Sequence, residues 1–466
     1  MRSVGRAALA VACGLAATVQ AAAGPNVVII YADDLGYGDL GCYGHPTIRT
    51  PHLDRMAAEG MRFTDFYSAA EVCTPSRTAL LTGRYPIRSG MCHDRHRVLR
   101  RNSAGGLPAE ERTLAEALRD LGYATACVGK WHLGHLPQHL PPRHGFDRYF
   151  GMPYSNDMQP AADAPRDRKR LFFDERNEYW RTPLIRGTEI VEETPDQHLL
   201  TRRYTDEAVE FITAHCERPF FLYMAHSFPH VPLFASPDFE GRSAAGRYGD
   251  VVEELDWSVG RILDTLRTLG LEGRTLVVFS SDNGPWKVFD QHGGSAGMLR
   301  GGKGSTWEGG MRVPGIAWWP GTVPPSTVQH EMASTLDLFP TCVALAGGAP
   351  EADRPVDGVD IRDLLVDAGP VERPPFVYYR GTRPFAIRRG RWKMHRLTQE
   401  GYGQAEPETH EPPLVYDLGV DPAERFDVAA EHPDVVRDLA AALEAHEGAV
   451  VPGVTQLEAT VAEAAR

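Results

Sequence analysis

Near its start the chain reads Asn26-Val-Val-Ile-Ile-Tyr-Ala-Asp-Asp34. This continuous apolar run, mostly β-branched, predicts a strand buried on both faces, because a strand with one wet face alternates apolar and polar residues. Two similar runs, Pro219–Ala225 and Thr275–Ser280, predict further buried strands. Before each of these, helical spacing of apolar residues predicts a helix, over Thr205–Thr213 and over Val251–Leu269. Alternating helices and buried strands predict an α/β fold, a largely parallel sheet with helices on both faces.

Shorter segments extend the same alternation along the chain. The spacing over Thr113–Leu121 predicts a helix that ends at Gly122, a common helix stop. Tyr123–Val128 predicts the next strand, and Gly315–Trp319 continues the series. We therefore expect one large α/β domain over residues 24–350.

The remaining residues, 351–466, have a different pattern. Short alternating segments at close spacing predict a small antiparallel sheet, and a longer amphipathic segment predicts a closing helix. The four predicted strands and the helix are Phe376–Tyr379, Phe385–Arg388, Arg391–His395, Leu414–Leu418 and Pro433–Glu447.

Composition limits the classes of partner. The chain has 466 residues, of which 42% are hydrophobic and 24% charged, as in ordinary globular proteins. Its net charge of −13 argues against nucleic acid, which basic surfaces recognise, so an anionic substrate must meet local positive charge. Residues 158–198 are charged and aperiodic and predict an excursion over the surface. Their basic cluster, Arg166–Arg170, fits a solvated face, or alternatively a contact for a polyanionic substrate near the mouth of a site.

The N-terminus has the pattern of an export signal. Arg2 and Arg6 precede the apolar run Ala7–Val19, and small residues at Ala21–Ala23 would permit cleavage. We therefore expect residues 1–23 to be a signal peptide and the protein to be exported. No later stretch is long and apolar enough to predict a membrane span. The chain has no Asn-x-Ser/Thr glycosylation site, which favours a bacterial periplasm or exterior over a eukaryotic secretory route.

Acidic residues follow two of the predicted strands. Asp33 and Asp34 come after the first, and Asp282 and Asn283 come after the strand that begins at Thr275. Ligands of open parallel sheets bind at the carboxyl ends of the strands, where these side chains should meet. Three carboxylates and an amide oxygen favour a hard cation, Ca²⁺ or Mg²⁺, over zinc. Either pair alone could be an ordinary turn former, but two pairs at equivalent ends favour a metal site.

Residues 72–84 read VCTPSRTALLTGR and predict a short helix. Thr74 is a candidate N-cap, and Gly83 would end the helix. Cys73 would then lie at a helix N-terminus, where the dipole and free N–H groups favour an anion, with Arg77 one turn further on the same side. Residue chemistry alone predicts a low-pKa thiolate nucleophile; the alternative is an ordinary buried cysteine.

Two motifs resemble the signatures of the formylglycine-dependent sulfatase family, in particular its arylsulfatases. The first is Cys73-x-Pro-Ser-Arg-x-x-x-Leu-x-Gly-Arg84, and the second is Gly122-Tyr-Ala-Thr-Ala-Cys-Val-Gly-Lys-Trp-His132. The likeness extends from Asn26 to about Asp427 and includes the tail run His410–Leu418. One departure is Glu71, where the signature usually has a small residue and where the enzyme that modifies the cysteine could be affected.

The resemblance implies an alkaline-phosphatase-like fold and the hydrolysis of sulfate monoesters to sulfate and an alcohol or phenol. It implies that a formylglycine-generating enzyme converts Cys73 to Cα-formylglycine (3-oxoalanine), the nucleophile, which Arg77 would orient. The metal ligands that it implies, for Ca²⁺ or Mg²⁺, are Asp33, Asp34, Cys73, Asp282 and Asn283. It also implies that five residues hold the sulfate, the formylglycine hydroxyl or the leaving oxygen: Lys130, His132, Ser155, His230 and Lys303.

Several alternatives remain at this stage. The same superfamily contains phosphate and phosphonate monoester hydrolases, and an inactive relative could bind sulfated glycans. A zinc site at His132 and His135 lacks further ligands of suitable spacing. Gly297–Gly304 misses the phosphate-binding P-loop, because Gly304 stands where Ser or Thr is required. The alcohol half of the substrate, whether an aryl, sugar or lipid sulfate, and the oligomeric state are left open.

Overall fold

The structure is a computed structural model that describes residues 24–174, 176–401 and 406–464. The signal peptide expected over residues 1–23 lies outside this part of the chain. The strands are β1 Asn26–Ala32, β2 Met61–Phe63, β3 Phe66–Tyr67, β4 Ala124–Gly129, β5 Arg148–Gly151, β6 Leu184–Arg186, β7 Glu189–Glu192, β8 Phe220–Ala225, β9 Thr275–Ser281, β10 Gly315–Trp318, β11 Thr327–Gln329, β12 Ala333–Ser334, β13 Phe376–Arg380, β14 Arg383–Arg389, β15 Trp392–Thr398 and β16 Glu408–Asp417.

Short 3₁₀ turns and α-helices connect these strands. The α-helices are α1 Pro51–Glu59, α2 Cys73–Thr82, α3 Leu114–Asp120, α4 Arg168–Phe173, α5 Leu200–Ala214, α6 Gly246–Thr268, α7 Glu308–Met311, α8 Leu338–Leu345, α9 Arg362–Leu365, α10 Pro433–Ala449 and α11 Val461–Ala464. Over the described ranges, none of them combines the length and the apolarity that crossing a bilayer requires.

A ten-stranded mixed sheet forms the centre of the molecule, in the order β11-β2-β10-β9-β1-β8-β4-β5-β6-β7. The five central strands β9, β1, β8, β4 and β5 are parallel, which confirms the predicted sheet. β10 forms where Gly315–Trp319 predicted a strand, but it runs antiparallel to β9. Part of the expected surface excursion over residues 158–198 instead forms β6 and β7, which extend the edge of the sheet through antiparallel backbone pairing.

The continuous apolar run of β1 packs into two cores, one on each face of the sheet. Val28 and Ile30 join the core that contains α5 and α6, whereas Val27, Ile29 and Tyr31 join the core that contains α3 and α8. All five side chains are fully buried. Burying a Val or Ile side chain contributes about 1.5–3 kcal/mol, so residues of both parities stabilise this strand.

The tail forms the predicted antiparallel sheet, β13-β14-β15-β16, and α10 covers it. A buried charge cluster joins this sheet to α7 and the residue after it. Lys393 on β15 donates to Glu308 Oε1 over 2.8 Å and lies 3.0 Å from Glu424, and Arg312 lies 3.3 Å from Glu308. Burial alone would raise the pKa of Glu308, but Lys393 and Arg312 lower it to about 2. The small sheet is therefore joined to α7 by buried ion pairs as well as by apolar packing.

We expect Glu308→Gln to destabilise the protein by roughly 3–5 kcal/mol, because it leaves buried cations without their counter-charge. The matched control is Arg389→Ala in the same small sheet, whose partner Asp438 forms an exposed ion pair with it. Exposed pairs contribute about 0–1 kcal/mol. Urea unfolding of both variants is the measurement, and equal losses of stability would contradict a stabilising role for the buried cluster.

Candidate active site

The two acidic pairs meet at one edge of the central sheet. β1 and β9 are adjacent and parallel, with Ala32 opposite Ser281, so the residues after both strands emerge side by side. The backbone N–H of Asp34 donates to Asp282 Oδ1 over 3.1 Å. Asn283 donates through Nδ2 to Asp34 Oδ1 over 2.7 Å. The parallel register therefore places the acidic residues where sequence reasoning expected them.

These residues provide a suitable donor set for a hard cation. One donor atom from each of Asp33, Asp34, Cys73 and Asp282 lies within 4.8 Å of the others, and all four side chains are buried. Asn283 Oδ1 is also buried and has no hydrogen-bond partner within the described part of the chain. An orphaned buried oxygen is costly unless something binds it. The oxygen-rich set fits Ca²⁺ or Mg²⁺.

Buried cations surround the carboxylates. Lys130, just after β4, donates to Asp33 over 2.5 Å, and Lys303 donates to Asp34 over 2.8 Å. Arg77 donates twice to Asp282 Oδ2, over 3.0 and 2.8 Å. These ion pairs explain how three carboxylates can share a buried site.

The surrounding charges give the carboxyl groups of Asp33 and Asp282 different pKa values. Burial by itself would raise the pKa of Asp33, yet Lys130, with His230 and Arg77, holds this pKa well below its usual range. Burial and the negative charge of Asp33 raise the pKa of Asp282 to about 7. A bound divalent cation would favour the ionised form of both groups.

Helix α2 presents its first residue to this cluster. The residue before the helix, Val72, has no capping side chain, so the prediction of Thr74 as the N-cap is wrong. Thr74 Oγ1 instead donates to the carbonyl of His132 over 3.0 Å and accepts from the N–H of Leu99 over 3.1 Å. This hydroxyl joins three segments and is not available to the helix end. Gly83, with φ of 67°, ends α2 as predicted.

The thiol of Cys73 lies between opposite charges. Its Sγ is 3.4 Å from Asp33 Oδ1 and 3.5 Å from Lys303 Nζ. Burial and the charge of Asp282 raise the pKa of this thiol well above its ordinary value. The prediction of a low pKa for this thiol is therefore wrong. Burial and nearby carboxylates raise the pKa more than the helix N-terminus and the lysines lower it. A protonated thiol is a poor nucleophile.

His132 is held in one tautomer. Its Nε2 lies 2.9 Å from the carbonyl oxygen of Leu99, which can only accept, so Nε2 carries the proton. Burial and Lys130 lower the pKa of His132 well below its ordinary value and keep the ring neutral. Nδ1 therefore has a free lone pair, and it is buried without a hydrogen-bond partner among the described residues. This arrangement leaves Nδ1 able to accept a hydrogen bond or a proton.

Ser155 and His230 complete the predicted set. His230 Nε2 lies 3.7 Å from Asp34 Oδ2, and its Nδ1 donates to the carbonyl of Val231 over 2.6 Å. Ser155 Oγ lies 3.4 Å from the His230 ring. The structure thus brings the predicted site residues together, although the His132 ring bonds only to the Leu99 carbonyl among the described residues and is joined to α2 through its own backbone carbonyl.

Sequence reasoning missed two residues of the site, Trp286 and Asp157, and did not predict the partner of Glu71. Trp286 packs against His230 at 5.2 Å and lies under Lys303, whose Nζ is 4.2 Å from the ring centroid. Asp157 has a raised pKa, because burial outweighs the nearby lysines. Glu71, the departure from the signature, is buried in an ion pair with Arg97. The only sequence signal for Trp286 was its closeness along the chain to Asn283, and for Asp157 its closeness to Ser155.

Comparisons with known proteins agree with this geometry. The family model described as "Sulfatase" matches residues 25–349, and the one described as "C-terminal region of aryl-sulfatase" matches residues 371–465. Human arylsulfatase A is 44% identical over 456 residues, covering 91% of this chain and 88% of the relative. Rat N-acetylgalactosamine-6-sulfatase is 41% identical over 471 residues, covering 93% and 87%.

Solved structures have the same architecture. The PsFucS1 sulfatase from Pseudoalteromonas sp. superposes with a TM-score of 0.82 at 29% identity, covering 91% of this chain and 90% of that one. Ps i-CgsB, in complex with k-i-k-neocarrahexaose, has a TM-score of 0.77 at 31% identity, with 94% of each chain covered. The fold is alkaline-phosphatase-like, as predicted. The family matches and the relatives together establish that the chain belongs to the sulfatase family and is an arylsulfatase-like sulfuric ester hydrolase.

Proposed function

We propose that the protein hydrolyses sulfate monoesters through Cys73 converted to Cα-formylglycine, with Ca²⁺, or alternatively Mg²⁺, held by Asp33, Asp34, Asp282 and Asn283. The observation that carries this proposal is the placement of Cys73 at the start of a buried helix, 3.4 Å from Asp33 and 3.5 Å from Lys303. A formylglycine hydrate supplies one hydroxyl that attacks sulfur. Loss of the proton from its second hydroxyl then re-forms the aldehyde and breaks the C–O bond to the sulfated oxygen, which releases sulfate. The raised pKa of the unmodified thiol supports a chemistry that does not depend on a thiolate.

The chain's own residues supply electrostatic stabilisation. A sulfate ester gains negative charge on its oxygens in the transition state, and buried ammonium groups stabilise that charge strongly. Lys130 and Lys303 each donate to a different aspartate of the acidic pair, Lys130 to Asp33 and Lys303 to Asp34. Arg77, ion-paired with Asp282, would orient residue 73, and Ser155 and His230 would hold the ester oxygens. Lys303 would neutralise charge on the leaving oxygen.

His132 is the proposed base for the second half of the cycle. Its neutral ring and free Nδ1 suit the removal of a proton from the remaining hydroxyl at residue 73. A residue in this role does not contribute to the attack on sulfur. The two halves of the reaction should therefore separate when His132 is removed.

We expect His132→Ala to lower steady-state turnover by about 10²–10⁴-fold while the first turnover survives. A stopped-flow burst with an activated aryl sulfate measures this, and the peptide that contains residue 73 should become about 80 Da heavier if attack is covalent. The control is His135→Ala, three residues along and half-buried, which should keep steady-state turnover. If His132→Ala showed neither the burst nor the mass increase, His132 would not be the base of the second step.

Two measurements test the function as a whole. Mass spectrometry should find the peptide containing Cys73 about 18 Da lighter than the encoded sequence, as oxidation of cysteine to an aldehyde requires. Values of kcat/KM should favour 4-nitrophenyl sulfate over the matching phosphate and phosphonate esters. A preference for phosphorus would reassign the protein to the phosphate or phosphonate monoester hydrolases. An unmodified cysteine with no hydrolysis would favour an inactive binder of sulfated glycans.

The partners and the location follow from the same proposal. The substrate would be a sulfated small molecule or a sulfated glycan; the Ps i-CgsB complex with a neocarrahexaose supports the glycan. A formylglycine-generating enzyme would have to act on Cys73. We also propose that residues 1–23 direct export to a bacterial periplasm or exterior. The rest of the chain would divide into domains 24–350 and 351–466.

A further inference from the structure

A short basic helix lies at the edge of the site. Residues 166–170, the sequence Arg-Asp-Arg-Lys-Arg, are all exposed and form the first turn of α4 and the residues before it. In the described ranges, neither Arg166, Lys169 nor Arg170 has a carboxylate within 4.0 Å. Unpaired cations concentrated at one place attract anions, and they are notable in a chain of net charge −13.

Aromatic contacts connect this helix to the candidate active site. The Arg168 guanidinium lies 4.6 Å from the ring centroid of Phe289, and Phe172 packs on Phe289 at 5.0 Å. Phe289 contacts Trp286 at 4.8 Å, and Trp286 in turn contacts His230 and Lys303. These contacts hold the backbone of α4 beside the wall of the site, so its exposed cations lie near that wall.

An open cleft lies between α4 and the loop after Phe289. Its volume is about 660 Å³, within the usual range for ligand sites. The lining residues are Lys169, Arg170, Phe173, Asp174, Asp290 and Gln291. Lys169 and Arg170 can bind a sulfate group, while the carboxylates of Asp174 and Asp290 and the amide of Gln291 can bind hydroxyl groups. Among the described lining residues, Phe173 alone has an apolar side chain, so the lining fits a sulfated sugar better than a lipid chain.

We propose that this cleft is a second subsite, which binds a sulfated sugar of an oligosaccharide while a neighbouring sulfate ester lies at Cys73. The inference rests on the proposed function for that neighbouring ester, and it narrows the substrate class to multiply sulfated glycans. Lys169 and Arg170 bind the second sulfate group and do not take part in the hydrolysis.

The test uses the full-length double variant K169A/R170A. On 4-nitrophenyl sulfate, which has one sulfate and no sugar, its kcat/KM should stay within about twofold of the wild type. Calorimetry with a carrageenan hexasaccharide and a heparin hexasaccharide measures binding, in Cys73→Ala so that nothing is turned over. At least one of the two should bind about tenfold more weakly to the double variant, a loss of about 1.4 kcal/mol. The desulfated forms should not distinguish the proteins.

The control variant R119A/R437A removes two exposed cations from α3 and α10. An equal loss of binding in this control would show a general effect of net charge and overturn the subsite. The subsite would also be overturned if both hexasaccharides bound equally well to K169A/R170A and wild type. The same holds if the double variant lost affinity only for sulfolipid micelles. Failure of wild type to hydrolyse 4-nitrophenyl sulfate would instead count against the proposed function, since the binding assay does not depend on turnover.

Discussion

Cys73→Ala should lower the hydrolysis of aryl sulfates by at least about 10³-fold, the scale seen when a catalytic nucleophile is removed. Alanine offers neither a thiol nor a precursor of formylglycine at the start of α2. The fold should persist, because the substitution removes one buried sulfur atom and leaves the helix and its surrounding ion pairs in place. Initial rates with 4-nitrophenyl sulfate measure the loss, and circular dichroism checks the fold.

Two further variants sharpen this prediction. Cys127→Ala removes a fully buried cysteine from β4 and should keep most of the activity. Cys73→Ser places a single hydroxyl at the site, without the second oxygen that expels sulfate, so it should show at most one turnover. Retention of more than a few percent of wild-type activity by purified Cys73→Ala would show that another group attacks sulfur.

Asp282→Asn should abolish both the activity and the calcium-dependent gain in thermal stability. A ligand that binds only the folded state stabilises it by mass action, by about 2.7 kcal/mol at one hundred times its Kd. The substitution removes one of the carboxylates in the donor cluster and weakens the pairing with Arg77. Thermal unfolding with calcium, with magnesium and after chelation measures the effect, together with metal analysis of the purified protein.

The matched control is Asp39→Asn. Asp39 is also buried near this sheet edge, but its oxygens accept from the backbone N–H groups of Gly36 and Ser295 and from the hydroxyl of Tyr248. This variant should be less stable and should still gain stability from calcium. An undiminished calcium effect in Asp282→Asn, or stoichiometric zinc without calcium or magnesium in the wild type, would contradict the oxygen-ligand site.

Local pattern was enough to predict most of the architecture. The apolar run of β1 needs both faces buried, and parallel strands need helical crossovers, so burial and connectivity imply the central sheet. The same reasoning brought Asp33 and Asp282 to one edge, because β1 and β9 point the same way. The direction of β10 and the recruitment of β6 and β7 were not predictable. Those pairings depend on which edges of the sheet remain open after the centre has formed.

The electrostatics of the site could not be predicted from the pattern. The helix position of Cys73 indicated a low thiol pKa, but burial beside carboxylates raises it. The signature contained His132, yet its tautomer depends on the carbonyl of Leu99, which comes from a separate loop. Charge interactions and desolvation depend on the distances among groups far apart in sequence, and those distances exist only once the chain has folded.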